Sequence, residues 1–213
     1  ARAAAASDAG IRACAEGLAR GVTDRELGGQ AVLAMLRAGG DHPRSGRLEI
    51  GGMNSPLRSY SGPIGRTAGP GDALWVEVNG RFQGYEAHGA HVAALGPMPP
   101  DWRDAWAVLR EGWERAWQVL RPGVAGAQVL QAARAAATAE FGVRSVILGQ
   151  GLGDDPPSMM DPAADSPTLE EGMCFTLKPY VGWSRAGHYR EITWADTVVI
   201  TRQGARRLGM REP

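Results

Sequence analysis

Hydrophobic and polar side chains alternate in residues 71–96, the stretch around which the rest of the chain is organised. In its first arm, Trp75, Glu77 and Asn79 alternate with aliphatic residues. Successive side chains of a β-strand point to opposite faces, so a period of two predicts a strand. Residues 71–96 therefore predict two long β-arms, with Glu77 among the polar groups of one face.

Helical periodicity predicts four helices. The first covers residues 3–20, and the second follows a capping box in which Thr23 and Glu26 have the required spacing. The third helix begins at Asp101, a predicted N-cap, and the fourth covers residues 125–141. The third helix carries an aromatic and aliphatic stripe, which predicts core or a subunit interface rather than a ligand-stacking surface: Trp102, Trp106, Leu109, Trp113, Trp117 and Leu120.

Further strands are predicted at residues 47–52 and 144–148, and in the last third of the chain. There, residues 173–181 and 193–201 have strand character and are separated by a predicted turn through residues 182–187.

Two segments rich in Pro, Gly and small polar residues separate these elements. Residues 53–71 and 154–168 predict exposed loops, and the second is acidic and could act as a lid.

Composition narrows the classes of partner. The chain has 23 basic and 23 acidic residues, so charge gives no reason to expect nucleic acid or an anionic membrane as a partner. Neither Cys14 nor Cys174 has a C-x-x-C spacing, and no signal peptide or membrane-spanning apolar run is present. These features favour a cytoplasmic protein with a small-molecule substrate.

An internal repeat divides the chain. Residues 18–22 resemble residues 120–124, and residues 71–77 resemble residues 172–178. The repeat predicts two helix-helix-strand halves, about 1–96 and 97–213. Glu77 and Lys178 occupy equivalent positions of the two halves, and their opposite charges predict an ion pair.

Five motifs occur in an order that resembles the pita-bread superfamily of methionine aminopeptidase, aminopeptidase P, prolidase and creatinase. They are GD-x4-E at residues 71–77, RPGV at 121–124, G-x-G-x-G at 149–153, GM-x-F at 172–175 and DTVVIT at 196–201. The resemblance implies an α+β fold with two pseudo-symmetric halves around a curved, mainly antiparallel sheet. Residues 1–213 would form one catalytic-type domain, from which an N-terminal domain is absent, and creatinase-like relatives imply a homodimer.

The peptidases of this superfamily hold two metal ions with two Asp, one His and two Glu. By motif, these positions carry Glu77, His88, Gln150, Lys178 and Ala195. A lysine ammonium offers no lone pair and adds positive charge where two dications need anionic oxygens. We therefore expect no dimetal centre and no cofactor. A single ion on Glu77 and His88 is the remaining alternative.

The substrate-handling histidines of the superfamily are also replaced. One falls near Arg58 or Ser59, and a His-Glu pair falls within residues 154–157, where neither residue is present. The catalytic histidine of creatinase, which works without metal, corresponds to Met53. Neither mechanism therefore carries over unchanged.

Two hypotheses follow. In the first, the chain is a metal-independent, creatinase-like hydrolase of a C–N bond in a small amide, guanidino or amino-acid-derived substrate. Lys178 polarises a carbonyl while Glu77 or His88 moves protons, or Lys178 itself is the nucleophile or base. In the second, the site is inactive, the Glu77–Lys178 pair fills it, and the chain is a pseudo-peptidase that binds a ligand or partner in the old cleft.

The remaining candidates are assigned to substrate binding: Gln150, Tyr180, His188, Arg190 and Glu191. Arg190 and Glu191 either line the mouth of the site or form a solvated turn. His91 is expected on the face opposite His88, because three positions separate them.

Two turns compete within residues 71–96. Asn79-Gly80 is the stronger local hairpin signal, but a turn at residues 82–84 makes Glu77 and His88 a cross-strand pair, as the two aspartates of the superfamily require. We expect the second turn.

Overall fold

The structure is a computed structural model that describes residues 1–43, 46–53, 63–152, 157, 159 and 166–212. Most of the predicted loop at residues 53–71, with the positions of Arg58 and Ser59, lies outside this range. So does most of the predicted loop at residues 154–168.

Helices and strands follow one another twice along the described chain, as the internal repeat predicts. The first set comprises α1 (Arg2–Ala19), α2 (Asp24–Arg37), β1 (Gly46–Gly52), β2 (Asp72–Phe82) and β3 (Tyr85–Leu95). The second set comprises α3 (Pro100–Val119), α4 (Gly126–Arg134), β4 (Gly142–Gly149), β5 (Cys174–Arg185), β6 (His188–Thr193), β7 (Asp196–Thr201) and β8 (Gly204–Arg207). None of the helices in the described residues is long and apolar enough to cross a bilayer.

The first half forms an antiparallel sheet in the order β1-β2-β3. Leu74, Val76 and Val78 of β2 are buried against α1 and α2, in a cluster with Ile11 and Leu27. Because side chains alternate along a strand, this packing directs Trp75, Glu77 and Asn79 to the other face of the sheet.

The second half forms an antiparallel sheet in the order β4-β5-β7-β8, with β6 paired to β5. Its apolar face packs on α3 and α4, where Leu177, Val181 and Trp183 join the main core. The tryptophan stripe of α3 is part of that core, and Trp102 and Trp113 are almost fully buried. Lys178 and Tyr180 alternate with the core residues of β5 and face the other way.

A short seam joins the two sheets. Ala90 of β3 and Ala195, which lies between β6 and β7, exchange backbone hydrogen bonds of 3.3 and 3.1 Å. The Thr197 hydroxyl accepts from the His88 N–H at 3.0 Å and donates to the His88 carbonyl at 3.1 Å. The seam brings the polar faces of the two halves together.

The hairpin register corrects one prediction. Phe82 pairs with Tyr85, so the turn consists of Gln83 and Gly84, both with positive φ, as in a type I′ turn. With this two-residue turn, His88 lies opposite Asn79, and the predicted pairing of His88 with Glu77 is wrong by two residues. A shift of two keeps every side chain on its predicted face.

Two further element boundaries differ from the predictions. Helix α4 ends at Arg134, before the predicted residue 141, because the Thr138 hydroxyl accepts the N–H groups of Glu140 and Phe141 in a local turn. Strand β5 continues to Arg185, so the turn predicted through residues 182–187 contains only Ala186 and Gly187.

Asp101 does not cap α3, which begins one residue earlier at Pro100. Its buried carboxylate instead accepts a 3.0 Å hydrogen bond from the Trp183 indole and pairs with Arg185 at 3.0 Å. The residue therefore ties α3 to β5.

Close packing of α1 on β2 gives a stability prediction. A Cβ at Gly80 would run into the backbone of Ala3 and Ser7, whereas a Cβ at Gly29, exposed on α2, would meet nothing. We expect Gly80→Ala to lower the free energy of unfolding by about 1–3 kcal/mol or more. Gly29→Ala should raise it by roughly 0.5–1 kcal/mol. Urea denaturation of both variants checks this, and equal effects would contradict the packing.

Candidate functional site

Glu77, His88 and Lys178 meet where the two polar faces come together. The Lys178 Nζ lies 2.7 Å from Glu77 Oε2 and 3.1 Å from His88 Nε2. The Glu77 oxygen and the His88 nitrogen are 3.9 Å apart. Glu77 lies on β2, His88 on β3 and Lys178 on β5, so both halves of the chain contribute residues to the cluster. The ion pair predicted from the internal repeat is present.

The Glu77–Lys178 pair is enclosed. The Lys178 side chain is 3% exposed and the Glu77 side chain 14%. The Trp75 indole also donates to Glu77 Oε1 at 2.7 Å. Burial by itself would raise the pKa of Glu77, but the charge and hydrogen bond of Lys178, with the Trp75 hydrogen bond, keep the pKa below its ordinary value. Glu77 is therefore a carboxylate at neutral pH.

His88 is held as a neutral ring in one tautomer. Its Nδ1 lies 2.5 Å from the Asn79 amide oxygen, which can only accept, so we assign the proton to Nδ1. The Nε2 lone pair then accepts from the Lys178 ammonium. Burial, and next the charge of Lys178, lower the pKa of His88 to about 3. At neutral pH the cluster thus holds one carboxylate, one ammonium and one neutral imidazole.

Lys178 is also the only lysine in a chain whose other 22 basic residues are arginines. An ammonium is compact and directs its donors tetrahedrally, whereas a guanidinium is a planar fork. The space between the Glu77 carboxylate and the His88 ring suits the compact cation.

Tyr180 lies next to this cluster, and Glu191 lies farther along the same face of the second sheet. The Tyr180 ring centroid is 5.1 Å from Lys178 Nζ and 6.3 Å from the centroid of Trp75. Arg144, which was not predicted, lies 3.7 Å over the Tyr180 ring and donates to both carboxylate oxygens of Glu191, at 3.0 and 3.1 Å. Arg144 pairs with Tyr180 in the β4-β5 register, so that register is the signal that would have found it.

His188 and Arg190 are not brought to the cluster. They pair with Arg185 and Trp183, so they lie on the opposite face of the sheet from Glu191. Arg190 is buried and donates to the carbonyls of Met53 and Arg185 at 3.1 and 3.0 Å, and His188 is exposed. The register thus assigns Arg190 to the framework and His188 to the surface, in place of the predicted substrate contacts.

Gln150 lines a different space, a cavity of about 680 Å³ beside Arg2, Phe82 and Cys174. The lining of this cavity does not include the three residues of the cluster. Gln150 was predicted to lie beside these three residues, but the cavity that it lines does not contain them.

Met53 and His91 both contact residues of helix α3. The Met53 side chain is 1% exposed within the main core, and its carbonyl accepts from the Trp102 indole at 3.0 Å. The position that holds the creatinase histidine is thus a core position here. His91 faces away from His88, as expected, and meets the Trp106 ring edge-on at 5.9 Å.

The donor set does not fit a divalent metal. No group of three His, Cys, Asp or Glu residues suited to one occurs in the described part of the chain. Glu77 Oε2 and His88 Nε2 both receive hydrogen bonds from Lys178, whose charge would repel a dication and which offers it no lone pair. The Ala195 side chain offers a metal no donor atom. The chemistry of these residues thus disagrees with the metal site that the resemblance implies.

The two buried histidines make folding stability depend on pH. Burial lowers the pKa of His88 to about 3 and that of His91 to about 4, from 6.5. Below 6.5 the unfolded chain binds protons at these rings that the folded chain excludes, so stability falls as the pH drops towards 4. We expect each histidine to lower the free energy of unfolding by about 3 kcal/mol between pH 6.5 and pH 4, measured by urea denaturation across this range.

His91→Leu removes one of these rings, whose buried Nδ1 has no hydrogen-bond partner among the described residues, and should flatten the pH dependence. The control is His42→Gln, which changes an exposed histidine and should leave the slope as it is. An unchanged slope in His91→Leu would show that this ring is not the buried neutral group described.

Comparison with solved structures shows the same fold in several peptidases. The prolidase from Pyrococcus furiosus matches with a TM-score of 0.82 and 21% identity, over 100% of this chain and 63% of that one. The methionine aminopeptidase from Rickettsia prowazekii matches with a TM-score of 0.81 and 17% identity, over 98% of this chain and 95% of that one. The chain therefore has the pita-bread fold that its motif order predicts.

Sequence comparison agrees. An Xaa-Pro dipeptidase from Lactobacillus helveticus is 26% identical over 165 residues, which are 75% of this chain and 44% of that protein. The chain thus spans less than half the length of this curated relative. The model of metallopeptidase family M24 matches residues 1–202. The protein belongs to metallopeptidase family M24.

Proposed function

We propose that this chain is the catalytic domain of a metal-independent hydrolase that cleaves a C–N bond in a small amide, guanidino or amino-acid-derived compound. The observation that carries the proposal is the Lys178 ammonium, held 2.7 Å from a carboxylate and 3.1 Å from an imidazole in an enclosed site. Membership of a peptidase family supports hydrolysis as the reaction class. The similar Xaa-Pro dipeptidase makes dipeptides the first amino-acid-derived compounds to test.

Each residue of the cluster has a role in the proposed reaction. With an amide substrate, Lys178 donates to the oxygen of the scissile carbonyl and stabilises the negative charge that develops there; with a guanidino substrate, a carboxylate or amide elsewhere in the compound would take that hydrogen bond. Glu77 is ionised and removes a proton from water as the water oxygen attacks the carbonyl carbon. When the C–N bond breaks, protonated Glu77 returns that proton to the leaving nitrogen. His88 stays neutral and orients the ammonium through Nε2.

Residues beside the cluster are proposed to contact the substrate. The ring of Tyr180 forms one wall next to Lys178, and the Arg144–Glu191 pair covers that ring. Arg144 is 44% exposed and Glu191 18%, so the pair can meet a polar group arriving from solvent. We propose these contacts in preference to His188 and Arg190, because those two residues lie on the opposite face of the sheet from Glu191.

A cytoplasmic homodimer remains part of the proposal. The unpaired state of Cys14 and Cys174 supports a reducing compartment. Sedimentation velocity of the purified chain tests the dimer, and a single monomeric species would exclude it.

The catalytic role of Lys178 is tested by two variants. Lys178→Met removes the cation, and Lys178→Arg keeps the charge but replaces the compact head with a planar fork. We expect both to lower kcat for a substrate found by screening amides, guanidino compounds and dipeptides, by about 10²–10³-fold, as for loss of an oxyanion donor. Circular dichroism should show an intact fold.

Glu77→Gln and Arg185→Met complete the set. Glu77→Gln removes the proposed base and should lower kcat at least as much, whereas Arg185→Met changes a distant ion pair and should leave kcat unchanged. Full activity in Lys178→Met would overturn the proposed mechanism. If no compound is turned over but ligands still bind, the chain is an inactive binding protein.

Metal independence is tested on the same substrate. We expect dialysis against EDTA to leave kcat within about twofold, because Lys178 supplies the positive charge that metals supply elsewhere. Elemental analysis of the dialysed protein should find no stoichiometric metal. Loss of activity on chelation, restored by Mn²⁺ or Zn²⁺, would contradict the proposal.

A further inference from the structure

Arg211 covers the seam between the two sheets. Its Nη1 donates to the Ala90 carbonyl at 3.1 Å, and its Nη2 donates to the Ala195 carbonyl at 2.6 Å. These are the same two residues that exchange backbone hydrogen bonds across the seam. One guanidinium therefore bridges β3 in the first half and the β6–β7 junction in the second.

A residue of α1 also binds the Arg211 guanidinium. The Asp8 carboxylate, on α1, accepts from Arg211 Nε at 2.6 Å and from the Met210 N–H at 2.7 Å. Asp8 is 4% exposed, and a Cβ added at Gly89 would lie 2.8 Å from Arg211 Nη2. The space around the planar head is thus closed on several sides, and its position is determined by the fold.

The seam lies next to the Glu77–His88–Lys178 cluster. Ala90 pairs with Glu77 in the β2-β3 register and is two residues from His88. On the other side of the seam, Ala195 is two residues from Thr197. The Thr197 side chain forms hydrogen bonds with the His88 backbone, and Thr197 pairs with Thr176 of β5. Thr176 is two residues from Lys178, so the seam determines how far β3 lies from the strand that carries the lysine.

We propose that Arg211 is a positioning residue that holds His88 within hydrogen-bond distance of Lys178. Only a fork with several N–H groups reaches both carbonyls and the Asp8 carboxylate at once. A lysine at this position would keep the charge and lose at least one of these contacts. The inference concerns the geometry of the cluster, so it is independent of the reaction assigned to it.

The test compares the wild-type chain with Arg211→Lys by NMR at neutral pH. The first readout is amide hydrogen exchange at Ala90 and Ala195, which we expect to become about tenfold faster or more as the seam opens locally. The second is the ¹⁵N pattern of the His88 ring. Wild type should show a single tautomer with the proton on Nδ1, and the variant a mixture of tautomers, because Nε2 is no longer held against the ammonium.

The matched control is Arg185→Met, which takes an arginine away from the buried Asp101 carboxylate far from the seam. It should lower the melting temperature without changing either readout. If Arg211→Lys behaves like this control, Arg211 only stabilises the fold and the proposal is overturned. Should Arg211→Lys fail to fold, Asp8→Asn removes the charge that fixes the guanidinium and is judged by the same two readouts.

Discussion

The structure depends on one buried cation. Lys178 lies almost wholly inside the protein, and Glu77 and the lone pair of His88 are what make its charge tolerable there. Breaking such a pair from one side commonly costs about 3–5 kcal/mol, because the remaining charge has no partner. The partners come from different halves of the chain, so the cluster also stabilises the packing of one half on the other.

The same cation also sets the charge of the candidate site. In a metallopeptidase fold, positive charge near the scissile bond is expected from metal ions held by carboxylates and histidine. Here a lysine lies between the carboxylate and the histidine that remain, so the fold keeps a positive centre while the donor atoms for a metal are occupied. Glu77 and Lys178 are equivalent positions of the two similar halves, which is consistent with their meeting where the halves pack together.

Much of this arrangement follows from local sequence patterns. Strand alternation assigns Glu77 and Lys178 to their faces, the repeat pairs them, and the order of motifs predicts the fold. The hairpin register was wrong by two residues because Gln83 and Gly84 alone form the turn, which centres the hairpin between them; a shift of two leaves the faces unchanged. The end of α4 was wrong because a single Thr138 side chain competes with the helix for backbone N–H groups.

Contacts between distant residues that the internal repeat does not relate could not be predicted. Arg144 reaches Tyr180 and Glu191 through the β4-β5 register, and Arg211 reaches Asp8 and Ala90 from the opposite end of the chain. Such contacts depend on where whole elements lie, which alternation and helical periodicity do not determine. The Nδ1 tautomer of His88 likewise follows only from its contact with Asn79.

The most direct measurement uses the fact that Lys178 is the only lysine. A chain grown with ¹⁵N-lysine has one labelled side-chain nitrogen, so its NH₃⁺ group gives a single NMR signal. The account predicts a signal that is protected from exchange at neutral pH, shows contacts to the His88 ring, and is unaffected by excess Mn²⁺ or Zn²⁺. A rapidly exchanging ammonium, or a signal that shifts or broadens on stoichiometric addition of metal, would contradict it.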